Sequence, residues 1–191
     1  MNAGVIAGIH SIKIMNLIKT FWMLCTAASV FSACNNDAKT KGDKKQQTTA
    51  NKNNRNAKIR NDIQLNAKDV KVSQAFLLYE DGTLVPATNE TNVNEPVKLR
   101  LVIDEGWKQN AGKVSLGASE RIETNDGLLV LDEKDLFKDI ASIDTSDAHF
   151  VTLTANISRV DKLYDYFLVS FRVWDKNSTG EINGSYKLYI K

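Results

Sequence analysis

Apolar and polar residues alternate along most of the C-terminal part of the chain. Five segments show the alternation most clearly, and they begin at Val97, Val114, Val151, Phe167 and Tyr186. A period of two predicts strands that place one face in a core and the other in solvent. Asp81-Gly82 and Asn125-Asp126-Gly127 are typical of the tight turns that join such strands. We therefore predict a domain built almost entirely from short strands.

The number and spacing of these strands predict an antiparallel β-sandwich, immunoglobulin-like in the broad sense, over residues 66–191. About seven or eight strands fit a chain of this length. A β-barrel is the alternative arrangement. The apolar segments that begin at Phe167 and Tyr186 flank a polar segment, Asp175–Gly184, which predicts a hairpin.

One short helix is expected to interrupt the strands between Asp132 and Ser142. Leu136, Phe137 and Ile140 follow a helical spacing there. The same segment carries the acidic residues Asp132, Glu133, Asp135 and Asp139 beside Lys134 and Lys138. Paired carboxylates can hydrolyse glycosides across a cleft, but a sandwich of this size rarely has one. We interpret these residues as the solvated face of the helix, with Asp135 near Lys138 or Lys134 near Asp139.

A different pattern occupies residues 15–34. Lys19 precedes an apolar run from Phe21 to Phe31, and two small residues then precede Cys34. This is the order of a secretory signal: a positive start, an apolar centre and a small-residue cleavage site. A transmembrane helix is the alternative, but roughly fifteen uninterrupted apolar or small residues are fewer than the about 20 that a span needs.

The sequence Phe31-Ser32-Ala33-Cys34 resembles the lipobox of bacterial lipoprotein precursors, with Phe31 where Leu is more usual. The resemblance implies that residues 1–33 form a signal peptide, with Met15 as an alternative start, and that Cys34 carries the acyl chains, palmitate among them. It places the mature protein in the cell envelope, and we expect the outer membrane of a Gram-negative bacterium. Cys25 lies in the removed segment, so no thiol remains for a metal or a nucleophile.

Residues 34–65 form a polar segment that we predict to be a disordered, basic tether. Residues 35–65 contain eight bases and three acids and almost no apolar residue before Ile59, so they cannot bury enough surface to fold. The bases could contact anionic lipid headgroups, although Asn and Thr dilute them and favour a solvated spacer. No aromatic residues lie between the bases, which argues against nucleic acid binding. Residues 66–191 are acidic instead, with 15 bases and 20 acids.

Few residues are of the types that catalyse reactions or bind metals. His149 is the only histidine after residue 34, and without a second His or a Cys it is better interpreted as a residue at a strand entry. The segment Asp175–Asn183 partly matches the calcium loop of an EF-hand. The closing Glu is replaced by Tyr186, so we interpret the segment as a polar turn. We predict no catalytic residue, no cofactor and no metal site.

Trp107 and Trp174 are the candidate ligand-binding residues. Trp174 has the opposite parity to Phe171 and Val173 in its strand, which predicts a position on the outer, mixed face. Trp107 follows a strand end, where a place at the core edge and a place in a binding loop fit equally well. Exposed aromatic rings bind sugars or partner proteins, whereas tryptophan in a sandwich usually packs in the core.

These observations predict a membrane-anchored envelope lipoprotein that acts as a non-catalytic binding or adaptor module. Its partner would be an envelope protein, met through loops or through an edge strand such as Tyr186 to Lys191. The alternative is a surface glycan-binding lipoprotein that uses Trp107 and Trp174. A hydrolase is a third hypothesis, which the isolated His149 and the missing thiol disfavour.

Overall fold

A computed structural model describes residues 57–191 of the chain. The predicted signal peptide (residues 1–33), Cys34 and most of the predicted tether lie outside the described residues. The described part contains twelve strands, numbered along the chain. Their bounds are β1 Lys58–Ile59, β2 Gln64–Lys68, β3 Lys71–Tyr79, β4 Glu90–Thr91, β5 Val97–Glu105, β6 Lys113–Val114, β7 Leu116–Thr124, β8 Leu129–Glu133, β9 Ile143–Asp144, β10 Phe150–Ala155, β11 Phe167–Asp175 and β12 Glu181–Ile190.

The strands form two main sheets that share one core. The first sheet has the order β1-β3-β5-β10, and the second has the order β2-β12-β11-β7-β8, with β4 beside the end of β12. A third, small sheet consists of β6 and β9. Neighbouring strands are antiparallel except for the short pairs β1 with β3 and β4 with β12. The predicted all-β, antiparallel sandwich is confirmed.

Alternate residues of both sheets build the core, as the period of two predicts. Val97, Leu99, Leu101 and Ile103 of β5 are buried, and so are Phe167, Val169, Phe171 and Val173 of β11. Each such side chain contributes about 1.5 to 3 kcal/mol when it leaves water. The predicted hairpin between β11 and β12 is also confirmed, and the N–H of Asp175 donates to the carbonyl of Gly180 at 2.9 Å across its turn.

The predicted helix between Asp132 and Ser142 is wrong. Asp132 and Glu133 end β8, and the residues that follow form a turn. The carboxylate of Asp135 accepts the backbone N–H of Phe137 at 2.9 Å and that of Ala118 at 3.3 Å. These bonds to its own loop and to β7 hold the segment against the sheet in place of helical bonds. In residues 57–191 the one helical segment is a 3₁₀ turn, Asp147–His149.

The folded domain starts before residue 66, so the predicted boundary is wrong. Asn61 is only 6% exposed, and its side-chain amide donates to the carbonyls of Val85 and Pro86 at 3.1 and 3.0 Å. The same amide donates to Asn89 Oδ1 at 2.9 Å, and Asn61 Oδ1 accepts the N–H of Leu77 at 3.1 Å. Asn61 has a φ of 58°, a conformation that asparagine tolerates better than most residues. Residues around Asn61 therefore belong to the domain and not to the tether.

Within residues 57–191, no helix is long and apolar enough to cross a membrane.

Candidate interaction surface

The outer face of the first sheet presents a regular grid of nine side chains. In β5 the side chains of Lys98, Arg100 and Val102 point away from the core, and the strand registers place one residue of β3 and one of β10 beside each of them. The three rows are Gln74, Val102 and Phe150; Phe76, Arg100 and Thr152; and Leu78, Lys98 and Thr154. We call these nine residues the Arg100 face. Arg100 lies at its centre, and none of the nine is acidic.

Arg100 has no anionic partner among residues 57–191. Its Nε atom is buried and makes no hydrogen bond, and its guanidinium carbon lies 5.9 Å from the centre of the Phe150 ring. Loss of solvent around the guanidinium lowers the pKa of Arg100, but an arginine stays protonated in proteins. By contrast, the neighbouring Lys98 pairs with Glu80 at 3.0 Å. The face therefore carries a partly desolvated and unpaired positive charge.

The apolar residues around Arg100 are unusual for a solvent-facing sheet surface. Phe150 is 56% exposed, and Phe76, Leu78 and Val102 are half-buried. A single exposed apolar side chain is ordinary, but here the exposed Phe150 is joined on one face by three partly exposed apolar side chains, an arrangement that interaction sites share. The Arg100 face combines these apolar side chains with two cations, of which Lys98 is paired and Arg100 is not, and with two threonine hydroxyls.

The outer edge of β10 borders this face and pairs with no described strand. Phe150–Ala155 pairs with β5 on one side in an uninterrupted register of six residues, and β10 ends the sheet. Its sequence, FVTLTA, contains neither a charged residue nor a proline. Natural proteins usually protect such an edge with charges, proline or a bulge. The β10 edge has none of these protections.

The second sheet ends at β8, and the edge of β8 differs from that of β10. β8 carries Asp132 and Glu133, and its pairing with β7 contains a register shift. Asp132 Oδ2 lies 3.4 Å from Arg121 Nη1 and 2.7 Å from Lys134 Nζ. Charges and a bulge are two of the devices that prevent a further strand from pairing. The β8 edge is thus protected.

The prediction that Tyr186 to Lys191 forms a free edge is wrong. β12 pairs with β11 on one side, and on the other side it pairs with β2 and, at Tyr189 and Ile190, with β4. β2 and β4 lie far from β12 in sequence. Local patterns therefore gave no sign that this strand has neighbours on both sides.

Trp174 lies on the outer face of the second sheet, as its parity predicts. Its ring lies against Gly117, where a Cβ atom would come within 2.2 Å of the indole. The guanidinium carbon of Arg172 lies 5.0 Å from the ring centre, and Arg172 pairs with Glu181 at 2.6 Å. The glycine of β7 and the arginine of β11 thus both contact the indole, which leaves it half-buried and not a fully open platform.

Trp107 packs at the edge of the core. Its indole N–H donates to the carbonyl of Ala148 at 3.2 Å, and its ring is a neighbour of Gly180. The N–H of Lys108 donates to Asp175 Oδ2 at 2.6 Å, so the two loops that the sequence singled out do meet. A shallow groove of about 480 Å³ lies nearby, lined by Asp69, Val70, Lys71, Glu105 and Gly106. Trp107 is not among its lining residues, because its ring is part of the packing beneath these loops.

The remaining sequence candidates are held by protein contacts. A ring nitrogen of His149 lies 2.7 Å from the carbonyl of Ile103, directly before β10 begins, so it is a strand-entry residue as predicted. Asp175 accepts from Lys108, Asn177 and Ser178 at 2.6 to 2.8 Å. Asp135 pairs with Lys176 at 3.1 Å and not with Lys138. Among the residues described, no group of three or more His, Cys, Asp or Glu could hold a metal ion.

Glu120 is a buried carboxyl that the sequence gave no reason to select. It is 2% exposed and lies on the core side of β7. Its Oε1 and the hydroxyl of Tyr186 are both buried without a hydrogen-bond partner in the described part of the chain. Burial raises the pKa of Glu120 to about 7; burial, and to a smaller extent the charge of Glu120, raises that of Tyr186. Glu120 is closed off from solvent, so it offers no contact to a partner.

Comparison with known proteins adds no relative to this description, since no protein-family model and no curated protein matches the chain. The Arg100 face and the β10 edge are therefore interpreted from their own geometry.

Proposed function

We propose that the protein is a lipid-anchored envelope lipoprotein that acts as a non-catalytic adaptor. It binds a partner protein through the Arg100 face and the adjoining β10 edge. The observation that carries this proposal is the unpaired, partly buried guanidinium of Arg100 on an apolar sheet face next to an unprotected strand. A desolvated charge without a counter-charge is unfavourable in the isolated protein. An acidic partner removes this penalty.

Anchoring is supported by the lipobox-like sequence at Cys34 and by the chain that joins it to the domain. Residues 35–56 separate Cys34 from the described part. A stretched chain of this length reaches at most about 80 Å. The Arg100 face could therefore meet a partner well away from the lipid surface. The outer membrane of a Gram-negative bacterium is the location that we propose.

The contacts of the other polar groups support the non-catalytic part of the proposal. His149, Asp175 and Asp135 are each bonded to neighbouring backbone or side chains, and Glu120 is enclosed in the core. General acid or base catalysis needs such a group within reach of a substrate. Glu120 lacks the access that a hydrolase would need, Asp175 and Asp135 are engaged by these bonds, and His149 is exposed but bonded through one ring nitrogen to a backbone carbonyl.

Glycan binding is the second candidate function, and one observation favours it. Trp174 lies on an outer sheet face beside Glu181 and Asn183, which are hydrogen-bonded to each other at 3.1 Å. Indole rings with nearby carboxylates and amides are suited to sugar hydroxyls. A sugar would have to displace Arg172 from the ring, so we rank this candidate second. Retention of a glycan on an array by the full chain, lost in Trp174→Ala without a change in melting temperature, would favour it.

Cross-linking in the intact envelope tests the adaptor proposal. The lipidated protein should capture one envelope protein, and the Cys34→Ser variant should lose both membrane attachment and that capture. Arg100→Gln should reduce capture at least tenfold while the protein stays anchored, since a hydrogen bond to a charged group is worth about 1.5 to 3 kcal/mol. Arg159→Gln is the matched control, because Arg159 is an exposed loop arginine. Equal capture by all four proteins would contradict the proposal.

A further inference from the structure

We propose that the partner supplies an extended, acidic segment that pairs with the outer side of β10 as a fifth strand of the first sheet and places a carboxylate on the guanidinium of Arg100. This inference rests on the proposed function, because the segment belongs to the protein that the adaptor captures. It names the chemistry and the geometry of that partner.

The β10 edge is suited to an added strand. All six residues from Phe150 to Ala155 keep a regular register with β5, so their outward-pointing backbone groups form a straight row. An unpaired row of N–H and C=O groups is a template for another strand, and strand addition is a common mode of peptide recognition. The N–H of Phe150 already donates to the carbonyl of Asp147, so an added strand would gain its main-chain hydrogen bonds from residues 151–155.

Arg100 is placed to select an acidic residue in that strand. The added strand would lie beyond β10 and therefore two strands from β5. Neighbouring strands lie about 4.8 Å apart, so a side chain of the added strand would have to meet Arg100 across β10. Thr152 is the cross-strand neighbour of Arg100 in β10, and its short side chain leaves room above it. The guanidinium already leans toward β10, as its position over the Phe150 ring shows. A carboxylate opposite Thr152 would therefore meet it.

The chemistry of the pair favours a carboxylate over a neutral group. Arginine presents a planar array of N–H donors that matches a carboxylate, and the Nε–H of Arg100 is buried without an acceptor. The apolar surroundings of Phe76, Val102 and Phe150 keep water away and strengthen the interaction. The hydroxyls of Thr152 and Thr154 add hydrogen-bonding groups beside the same strand.

Two other occupants of the edge fit less well. In a second copy of the chain, β10 would pair with β10, and its sequence FVTLTA contains no acid. Such a pair would leave both Arg100 side chains without a counter-charge. Residues 35–56 of the same chain contain six bases and two acids, so their net charge repels Arg100. An acidic segment from another protein satisfies both the edge and the arginine.

The test uses the full, lipidated chain in detergent micelles and three synthetic peptides. Each peptide has ten residues that alternate Thr and Val, and the three differ only in a central Glu, Gln or Lys. Binding is followed by fluorescence anisotropy, and the site by amide hydrogen exchange. We expect the Glu peptide to bind at least tenfold more tightly than the Gln peptide, and the Lys peptide not to bind. The Glu peptide should protect amides of Phe150–Ala155 and leave those of Leu129–Glu133 unchanged.

Two matched variants separate this site from a general charge effect. Thr152→Glu places a carboxylate directly beside Arg100, so the internal pair should reduce binding of the Glu peptide at least tenfold. Ser119→Glu makes the same change beside Arg172 in the second sheet and should leave binding unchanged. Melting temperatures of both variants check that they fold. The inference is overturned if Thr152→Glu binds like the original chain, if protection appears away from β10, or if no peptide binds at millimolar concentration.

Failure of this inference and failure of the proposed function give different results. If the chain is lipidated and captures an envelope protein but the Glu peptide does not protect β10, the adaptor stands and strand addition fails. If the Glu peptide binds at β10 but Cys34 carries no lipid, strand addition stands and the anchored adaptor fails. If a photoreactive Phe150→p-benzoylphenylalanine variant forms cross-linked dimers of this chain, the occupant of the edge is a second copy and the acidic segment is overturned.

Discussion

Two of the free sheet edges of this domain, those of β8 and β10, differ in how they are protected. β8 ends the second sheet with Asp132 and Glu133, a register shift and ion pairs from Asp132 to Arg121 and Lys134. β10 ends the first sheet with six uncharged residues in regular register. Both edges belong to the same fold, and neither pairs with a further described strand. The difference shows that the fold does not require an unprotected edge, so the β10 edge needs another explanation.

The two outer sheet faces repeat this contrast. On the second sheet, Arg172 pairs with Glu181 and Arg121 pairs with Glu123. On the first sheet, Arg100 pairs with no described residue and sits among apolar side chains. Charges that are satisfied within the domain stabilise it slightly or not at all. The unsatisfied charge beside the unprotected edge is the feature on which the proposed interaction surface rests.

The largest predicted effect is a difference in the free energy of unfolding between substitutions on the two faces of β10. Leu153→Ala should lower the free energy of unfolding by about 3 kcal/mol, because Leu153 is buried in the core and its removal leaves a cavity. Phe150→Ala should cost under about 1 kcal/mol, because its ring is largely exposed. Urea unfolding of both variants measures the difference. Equal losses would mean that Phe150 is a structural residue and not part of a binding face.

The next effect is a pH dependence of stability that arises in the core beside the β8 edge. Glu120 is the cross-strand neighbour of Glu133 in β8, and burial raises its pKa to about 7 from 4.5. The folded state therefore binds the proton of Glu120 more tightly than the unfolded state does. The resulting contribution of Glu120 to the free energy of unfolding is greatest below about pH 4.5 and is lost as the pH rises through about 7. Above that pH the contribution is gone.

The variant Glu120→Gln removes this titration. Its stability relative to the original chain should rise by about 2 to 3 kcal/mol between pH 5 and pH 8, since one pKa unit corresponds to about 1.4 kcal/mol. Thermal unfolding at several pH values measures the change. A constant difference across this range would show that Glu120 is already solvated or paired in the folded protein.

A smaller effect tests whether Arg100 lacks a partner. Thr152→Glu should be about 0.5 kcal/mol more stable than Thr152→Gln, because opposite charges on neighbouring strands stabilise a sheet by about that amount. The gain should shrink in high salt. Denaturation of the two variants at low and high salt provides the measurement. If the two variants are equally stable, Arg100 is already neutralised by a group outside the described residues.

The smallest effect is expected at the protected edge. Asp132→Asn should change stability by less than about 0.5 kcal/mol, because its pairs with Arg121 and Lys134 are on the surface. Lys134, through its hydrogen bond, holds the pKa of Asp132 below its usual range. The role that we assign to this residue is protection against pairing, which folding stability does not report. A loss of several kcal/mol would make Asp132 a structural residue instead.

Local patterns in the sequence predicted the strands well. The alternation in Val97–Ile103 and in Phe167–Val173 corresponds to β5 and β11, and the parity of Trp174 predicted its outer position. These successes share one cause, since side chains of a strand alternate between two faces whatever its neighbours are. The assignment of His149 to a strand entry depended on equally local reasoning.

Features that depend on distant residues were not accessible in this way. Asn61 stands in a polar, basic segment, and only the bonds to Val85, Pro86 and Asn89 make it part of the domain. Leu136 and Phe137 follow a helical spacing, but Asp135 bonds to β7 and fixes a turn. The Arg100 face requires the registers of β3, β5 and β10 together. Its one local signal was the pair Phe76 and Leu78 on the outward parity of β3.

Photo-cross-linking from the two edges tests the central claim most directly. The variant Phe150→p-benzoylphenylalanine places a photoreactive group at the β10 edge, and the same substitution of Leu129, which is 47% exposed at β8, is the control. In intact cells the account predicts one adduct with an envelope protein from position 150 and none from position 129. Adducts from position 129 alone, or equally from both positions, would contradict it.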